Sequence, residues 1–495
     1  MTAARPTAIV IGAGIGGLAA AARLAHQDFS VTVLERHAVP GGRAGLWESH
    51  GFRFDTGPSF VLMLEYWQQL FEDTGRRLED YVSLVRLDPN YRIHYPDGST
   101  LEMTSALDTL GENMERLEPG AGAGLRRFLA RSGELYRSGL AFVSRNMHTA
   151  RAMFTLEHGA MLLGTGALGD LRRLVGRYVR DERLVQALTF QSLYLGLSPY
   201  ESLGIYSLLP YTEIAGGLYY PMGGMHALPR ALERLGRELG AGFEFGRGVA
   251  RLERSGRRVT GVVLDDGTRL AADLVVANAD LPYVYERLLG EPYPGIAKKE
   301  FSCSVVLLNL GVRRTYPALL HHNLIVPAAM REACEDIFHR HRMPEEPPLY
   351  VCAPTRTDPG AAPPGCEILF VLVVAPSQSP ARPIDWTTEG PKVEERTLAR
   401  LEAFGLTDLR ANIVTRRRFT PADFTAAFGN LRGEAFGLAH GLRQIGYFRP
   451  HNRHPNLQNL YFVGQSTHPG CGLPMVLISA RCTVDRVMAE RAVWQ

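Results

Sequence analysis

The sequence predicts an α/β protein. A parallel sheet grows from an N-terminal βαβ unit and is joined to a mixed α+β region with a helical insertion. Three observations predict this. Ala8–Ile11 is a short apolar, β-branched run that leads directly into Gly12-x-Gly14-x-x-Gly17. An Ala-rich stretch at 18–26 then reads as a helix, and 30–34 alternates Val and Thr as a second strand ending on Glu35. From 104 to 200 the pattern is helical, and strand signals return only after it.

The order strand, glycine turn, helix, strand, acid is that of a dinucleotide-binding unit, with the acid about twenty positions after the first glycine. Gly12 allows the tight turn, Gly14 lets backbone approach a pyrophosphate, and Gly17 lets the helix pack on the strand. The helix N-terminus offers free N–H groups and positive dipole to phosphates. Glu35 accepts from ribose hydroxyls, and its charge disfavours a 2′-phosphate. By itself this stretch accommodates NAD as well as FAD. Arg36 follows, and then Pro40-Gly41-Gly42-Arg43 and Gly51-Phe52-Arg53-Phe54-Asp55-Thr56-Gly57-Pro58. These loops suggest a ligand longer than adenosine diphosphate. Arg36 and Arg43 read either as phosphate or ribose partners or as surface arginines.

Residues 91–103 form a hairpin around Pro96-Asp97-Gly98. Helices are expected at 107–117, 124–143 and 150–179. The last includes a literal G-x-G-x-x-G at Gly164–Gly169, which follows no strand and leads to no acid-terminated strand. It reads as a turn between helices, leaving one dinucleotide site. Aromatic, Met and Gly residues crowd 211–228, and a helix follows at 225–239. Strands at 259–264, 268–271 and 274–277 bring back sheet structure, and 305–310 and 368–374 read as further strands. Asn459–Gly464 is a last apolar strand closed by glycine. The loop from Gln465 leads to Pro474 and a final helix at 475–490, whose first N–H groups are free for an anionic ligand.

The chain has 495 residues with 54 basic and 51 acidic side chains, a net charge of +3 that gives no reason to expect nucleic acid. Its six cysteines contain no C-x-x-C and read as reduced thiols of a cytoplasmic protein. The N-terminus lacks the apolar segment of a signal peptide, and no run reaches the ~18 apolar residues of a membrane span. The histidines at 321–322, 339–341 and 451–454 lack metal-ligand spacing and read as solvated loop residues, so no metal is expected.

Taken together, AIVIGAGIGGL, ERHAVPGGRAG, GFRFDTGPS, YYPMGGMHAL, VVANAD, FRPHNR and NLYFVGQSTHPGCGLP resemble the bacterial-type phytoene desaturases from end to end. These are FAD-dependent carotenoid desaturases of the amine oxidase-like flavoproteins. The resemblance implies a discontinuous Rossmann-like FAD-binding domain of the GR2 type, at 1–90, 240–290 and 455–495. A substrate domain would occupy 91–239 and 291–454. Carried over by motif, Gly12, Gly14, Gly17 and Glu35 would hold FAD, together with Gly41, Gly42, Arg43 and Gly57. Val249 would meet the adenine through its backbone. Gly464 and the helix start at Gly472, Leu473, Pro474 and Met475 would lie by the isoalloxazine. The sequence departs from the family pattern at Gln465 and Cys471.

The implied reaction introduces double bonds into an acyclic carotenoid. Hydride passes to flavin and a proton is lost, with oxygen or a quinone as final acceptor. A hydrophobic polyene can be selected only by the shape of an apolar channel, for which the Tyr/Met/Leu-rich residues 186–225 are suited, though each also reads as ordinary core. Glu213 is the candidate base, with a purely structural acid as its other reading. His468 reads as a loop-shaping residue. Peripheral attachment to a membrane surface is expected, and the basic stretch 168–179, with Arg172, Arg173, Arg177 and the adjoining Arg180, is its candidate, or else a solvated helix face. Three alternatives stay open: a hydroxycarotenoid 3,4-desaturase, a carotenoid isomerase, saturase or amine oxidase-like flavoenzyme, and a non-enzymatic prenyl or lipid escort.

Overall fold

A computed structural model describes residues 5–153, 155 and 166–494. Its organising element is a five-stranded sheet in which every neighbouring pair is parallel. The order is Leu460–Phe462, Leu274–Ala277, Thr7–Ile11, Ser30–Glu35, Gly242–Phe245. Strands from both ends and the middle of the chain therefore meet in one layer. Val10, Val33, Val276 and Tyr461 are all but excluded from water, as a parallel sheet covered on both faces requires. The helix Ile15–His26 packs on this sheet through Leu18, Ala22 and Leu24. Its small side chains let the C-terminal helix Leu473–Ala489 and the helix Ala227–Glu238 approach closely on the same side.

A second, seven-stranded mixed sheet has the order 413–419, 304–312, 367–375, 349–352, 322–325, 91–94, 100–103. It is antiparallel except where His322–Ile325 runs beside Tyr91–His94. The helix Trp386–Ala403 covers one face, burying Trp386, Val393, Leu398 and Leu401 against Val306, Val371 and Val373. A separate three-stranded antiparallel sheet contains Val249–Ser255, Arg258–Leu264 and Arg269–Ala271.

The expected hairpin forms, with Tyr91 opposite Met103. The expected helix at 124–143 runs from Ala121 to Val143. The long helix expected at 150–179 does not form as one element. The described parts are Ala150–Met153 and the five-residue Leu171–Val175, which starts where the Asp170 carboxylate accepts from the Arg173 N–H. Periodicity had joined segments that this cap separates. Of the second G-x-G-x-x-G, Gly164 and Thr165 lie outside the described residues. Gly166 takes φ +72° in a turn closed by the Gly169 N–H, with no strand before it among the described residues.

Candidate flavin and substrate cavity

The glycine turn is shaped by what a side chain would strike. A Cβ on Gly17 would sit 2.1 Å from the Gly12 carbonyl oxygen, and Gly12 itself has φ +96°. The helix that follows is capped by no side chain and has no acid in its first turn, so its N–H groups face the cavity unneutralised. Glu35 ends its strand at the same edge. One carboxylate oxygen accepts from the Ala13 N–H at 2.7 Å and the other from His37 N–H at 2.9 Å, tying turn and strand together.

The next loop closes over this turn. Gly41 bridges to Gly14 as in a parallel ladder, and its N–H donates to the Ala13 carbonyl. Gly57 comes so near that a Cβ would lie 2.0 Å from the Arg43 carbonyl oxygen. Arg36 donates to the Ala427 carbonyl and lies over the Tyr283 ring. Arg43 donates to Asn430 Oδ1 at 2.8 Å and lies over Phe428. The Gln465 amide oxygen, oriented by the donors around it, accepts from Arg43 at 3.0 and 3.3 Å and from the Gly437 N–H at 3.2 Å. The departure from the family pattern at Gln465 thus holds Arg43.

From the other end of the chain, Gly464 takes φ +106°, and a Cβ there would meet Asn278 Oδ1 at 2.8 Å. The helix beginning at Leu473 has Pro474 in its first turn and neither acid nor side-chain cap there. Two uncapped helix N-termini therefore converge on one space. Arg449, almost fully buried, holds the loop between them by donating to the carbonyls of Gln465 (2.6 Å) and Thr467 (3.1 Å). His468 reaches the Val143 and Arg145 carbonyls, the loop-shaping position expected of it.

That space is a cavity of about 630 Å³. Its wall includes the polar residues Glu35, Arg43 and Asp280, the glycines Gly12, Gly14 and Gly464, and Val249. Elsewhere it is apolar, formed by Tyr194, Ile205, Leu208, Leu209, Leu307 and Leu372. Leu168 and Leu442 line it and are also exposed, marking where it reaches the surface. The sequence-predicted cofactor positions Gly12, Gly14, Glu35, Arg36, Gly41, Gly42, Arg43, Gly57, Val249, Gly464, Gly472, Leu473, Pro474 and Met475 all contribute to this wall. Gly17 lies just behind it, where it closes the turn.

Glu213 does not line the cavity. It is fully buried in a single turn of π-helix, accepting from Tyr91 Oη at 2.7 Å and Gln191 Nε2 at 3.0 Å, while its other oxygen has no partner. Burial pushes its carboxyl up to about 7. Burial first, and then the nearby Glu213 charge, raise the hydroxyl of the cavity-lining Tyr194.

Sequence reasoning missed a buried charge cluster beside Arg43. Asp280 accepts from Ser466 Oγ, and Glu434 is pushed up to about 8 by burial and by the Asp280 charge. One oxygen of each carboxyl, and Nε of Arg43, lack partners. Asp280 ends the VVANAD segment, a legible clue, but nothing near Glu434 points to this cluster. The expectation of solvated histidine loops is wrong for His321, His322 and His454, which are buried. His322 opens a buried strand with His321 just before it, and His454 accepts from the Asn456 and Leu457 N–H groups. The basic stretch 168–179 turns Leu171, Leu174, Val175 and Val179 into the core, pairs Arg172 with Glu182, and leaves Arg173 and Arg177 exposed.

Comparison with known proteins shows the family and the fold. Residues 15–488 match the model of the flavin containing amine oxidoreductase family. The chain is 46% identical to a zeta-carotene-forming phytoene desaturase of Myxococcus xanthus, over 97% of this chain and 93% of that one. It is 35% identical to a 4,4'-diapolycopene oxygenase of Methylomonas sp, over 97% and 99%. Among solved structures, an oxidoreductase from Methanosarcina mazei superposes with a TM-score of 0.64 over 97% of this chain and all of that one, at 17% identity, a likeness of fold. The chain belongs to the flavin containing amine oxidoreductase family, in the branch of the bacterial-type phytoene desaturases. The residues fit a flavin. Glycines leave no Cβ in the cradle, two helix N-termini are free, and unpartnered polar atoms of Asp280 and Arg43 border the same cavity.

Proposed function

We propose that this protein is an FAD-dependent carotenoid desaturase that introduces double bonds into an acyclic polyene. The observation that carries the reading is one continuous cavity, polar and glycine-lined where two helix N-termini meet, and apolar where it passes the helical insertion. The chemistry supplied by bound FAD is hydride acceptance. Glu35 would hold the ribose, the Gly12–Gly17 turn the pyrophosphate, and the backbone of Val249 the adenine. The Leu473 helix start would favour negative charge at the isoalloxazine. Ile205, Leu208 and Leu209 would hold the hydrocarbon in register and exclude water. The proton lost from carbon would pass by Tyr194 to Glu213, whose raised pKa suits a base near neutral pH. Segments 1–90, 240–290 and 455–495 would form the cofactor part, and 91–239 and 291–454 the substrate part.

Oxygen or a membrane quinone would take the electrons. Attachment to a membrane surface is supported by Leu442 and Phe448, each 47% exposed, close in sequence to the cavity-lining Ile445. No helix among the described residues is long and apolar enough to cross a membrane. The test is expression in two hosts, one accumulating phytoene and one a hydroxylated acyclic carotenoid, with pigment analysis. New conjugated products from phytoene support the reading. Conversion of the hydroxylated substrate alone would reassign it to the 3,4-desaturases, and no change in either would overturn it.

A further inference from the structure

Outside the cavity, one buried cluster has no part in the proposed reaction. His322 and Cys352 are direct cross-strand partners in the antiparallel pair His322–Ile325 and Leu349–Cys352. His321 precedes that strand, and its carbonyl accepts from the Ala353 N–H. The imidazole rings of His321 and His322 lie 4.3 Å apart. A ring nitrogen of each and the Cys352 sulfur all lie within 4.8 Å of one another, and all three residues are buried.

The hydrogen bonding is one-sided. His321 Nδ1 meets Thr357 Oγ1 at 2.6 Å, and His322 Nδ1 meets Tyr350 Oη at 2.7 Å. Nε2 of both rings is buried with no partner among the described residues. Leaving two such nitrogens unpaired costs stability. An imidazole that binds a metal through its bare nitrogen has this pattern, with the other ring nitrogen fixed by an oxygen.

We propose that His321, His322 and Cys352 form a metal site for a thiophilic d10 cation, Cu(I) or Zn(II). Thiolate and imidazole donors suit both ions, and carboxylate-preferring Mg2+ or Ca2+ is excluded by the donor set. Binding needs no redox step. The thiol releases its proton to solvent and the thiolate pair binds the cation. Cu(I) with one thiolate and two neutral imidazoles leaves the site uncharged. Zn(II) leaves one positive charge, which Asp55, close enough to act on the thiol, offsets. Burial disfavours both a free thiolate at Cys352 and imidazolium at either histidine, so an empty site stays neutral. With Nε2 on the metal, His322 Nδ1 carries the proton and donates to Tyr350. The Tyr350 hydroxyl is then directed to Ser59 Oγ, 2.6 Å away on the cavity wall.

The test is metal content per chain in flavin-loaded protein, after chelator treatment and dialysis against Cu(I) or Zn(II) in separate samples. Wild type should retain one equivalent of at least one of the two ions. Cys352→Ser and His322→Gln should retain less than a tenth of that with flavin absorbance unchanged. Cys366→Ser, which alters a thiol outside the cluster, should retain it in full. Retention by Cys352→Ser equal to wild type, or no retention of either ion by flavin-loaded wild type, overturns the proposal. Flavin absorbance reports folding independently of metal, and none of these readouts depends on which polyene is the substrate.

Discussion

Glu213 couples burial to protonation. It is surrounded by Tyr91 and Gln191 with no cation beside it, so desolvation dominates and raises its carboxyl from 4.5 to about 7. The protonated form is therefore the one the fold favours. The stability it contributes is complete below pH 4.5 and is lost as the pH rises through 7, by roughly 3 kcal/mol. Glu213→Gln should flatten that part of a melting-temperature profile between pH 5 and 8. If Glu213 also takes the proton in desaturation, the wild-type rate should climb through pH 7, and the variant should lose both rate and climb. A variant that keeps the climb would leave Glu213 structural. At Gly57 the constraint is steric. An added Cβ would sit 2.0 Å from the Arg43 carbonyl oxygen, so Gly57→Ala must part the two loops. Flavin affinity should fall at least tenfold, a loss of ~1.4 kcal/mol, measured by titrating flavin into stripped protein.

Between elements, one side chain takes the place of a strand partner. Asn459 is fully buried just before the strand Leu460–Phe462. Its amide donates to the carbonyls of Val259 (2.7 Å) and Asp273 (2.8 Å) and accepts from the Val259 N–H at 2.8 Å. It thus ties the three-stranded sheet to the parallel one. Asn459→Ala leaves those backbone groups unpaired and should cost about 3 kcal/mol by chemical denaturation. A loss under 1 kcal/mol would mean water replaces the amide. Elements with simple periodicity were readable: Thr7–Ile11, Ile15–His26, Tyr91–His94, Ala121–Val143 and Glu367–Ala375 all form where the pattern places strand or helix. The failure at 150–179 is also physical. Helical periodicity persists across the Asp170 cap, and only local hydrogen bonding there restarts the helix.

Across the whole molecule, the cavity joins a nucleotide-type edge to an apolar passage. Leu209→Trp should fill that passage and abolish polyene turnover while flavin content stays at wild-type level, as pigment analysis and absorbance would show. Turnover that survives would place the substrate elsewhere. Where the passage nears the surface, Leu442→Glu with Phe448→Glu should reduce co-sedimentation with lipid vesicles several-fold, at about 0.8 kcal/mol for each buried methylene removed from lipid. Unchanged sedimentation would rule out this patch as the attachment surface.

Within the sequence alone lay the βαβ turn, the acid at Glu35, the glycines at 41, 42, 57 and 464, and the proline-led helix at 474. These are local, because backbone conformation and close approach demand particular residues at particular spacings, whatever the rest of the chain does. Only the tertiary structure decided which distant residues meet. Arg43, Asp280, Glu434 and Arg449 form one buried charge cluster, and His321, His322 and Cys352 one neutral donor set. Their chemistry comes from desolvation and mutual distance, which are properties of the packed interior and of no single segment. The same holds for Glu213. Its position beside an aromatic, glycine-rich stretch suggested a site, but the shape of the fold set it behind the cavity wall and gave it a pKa near neutrality.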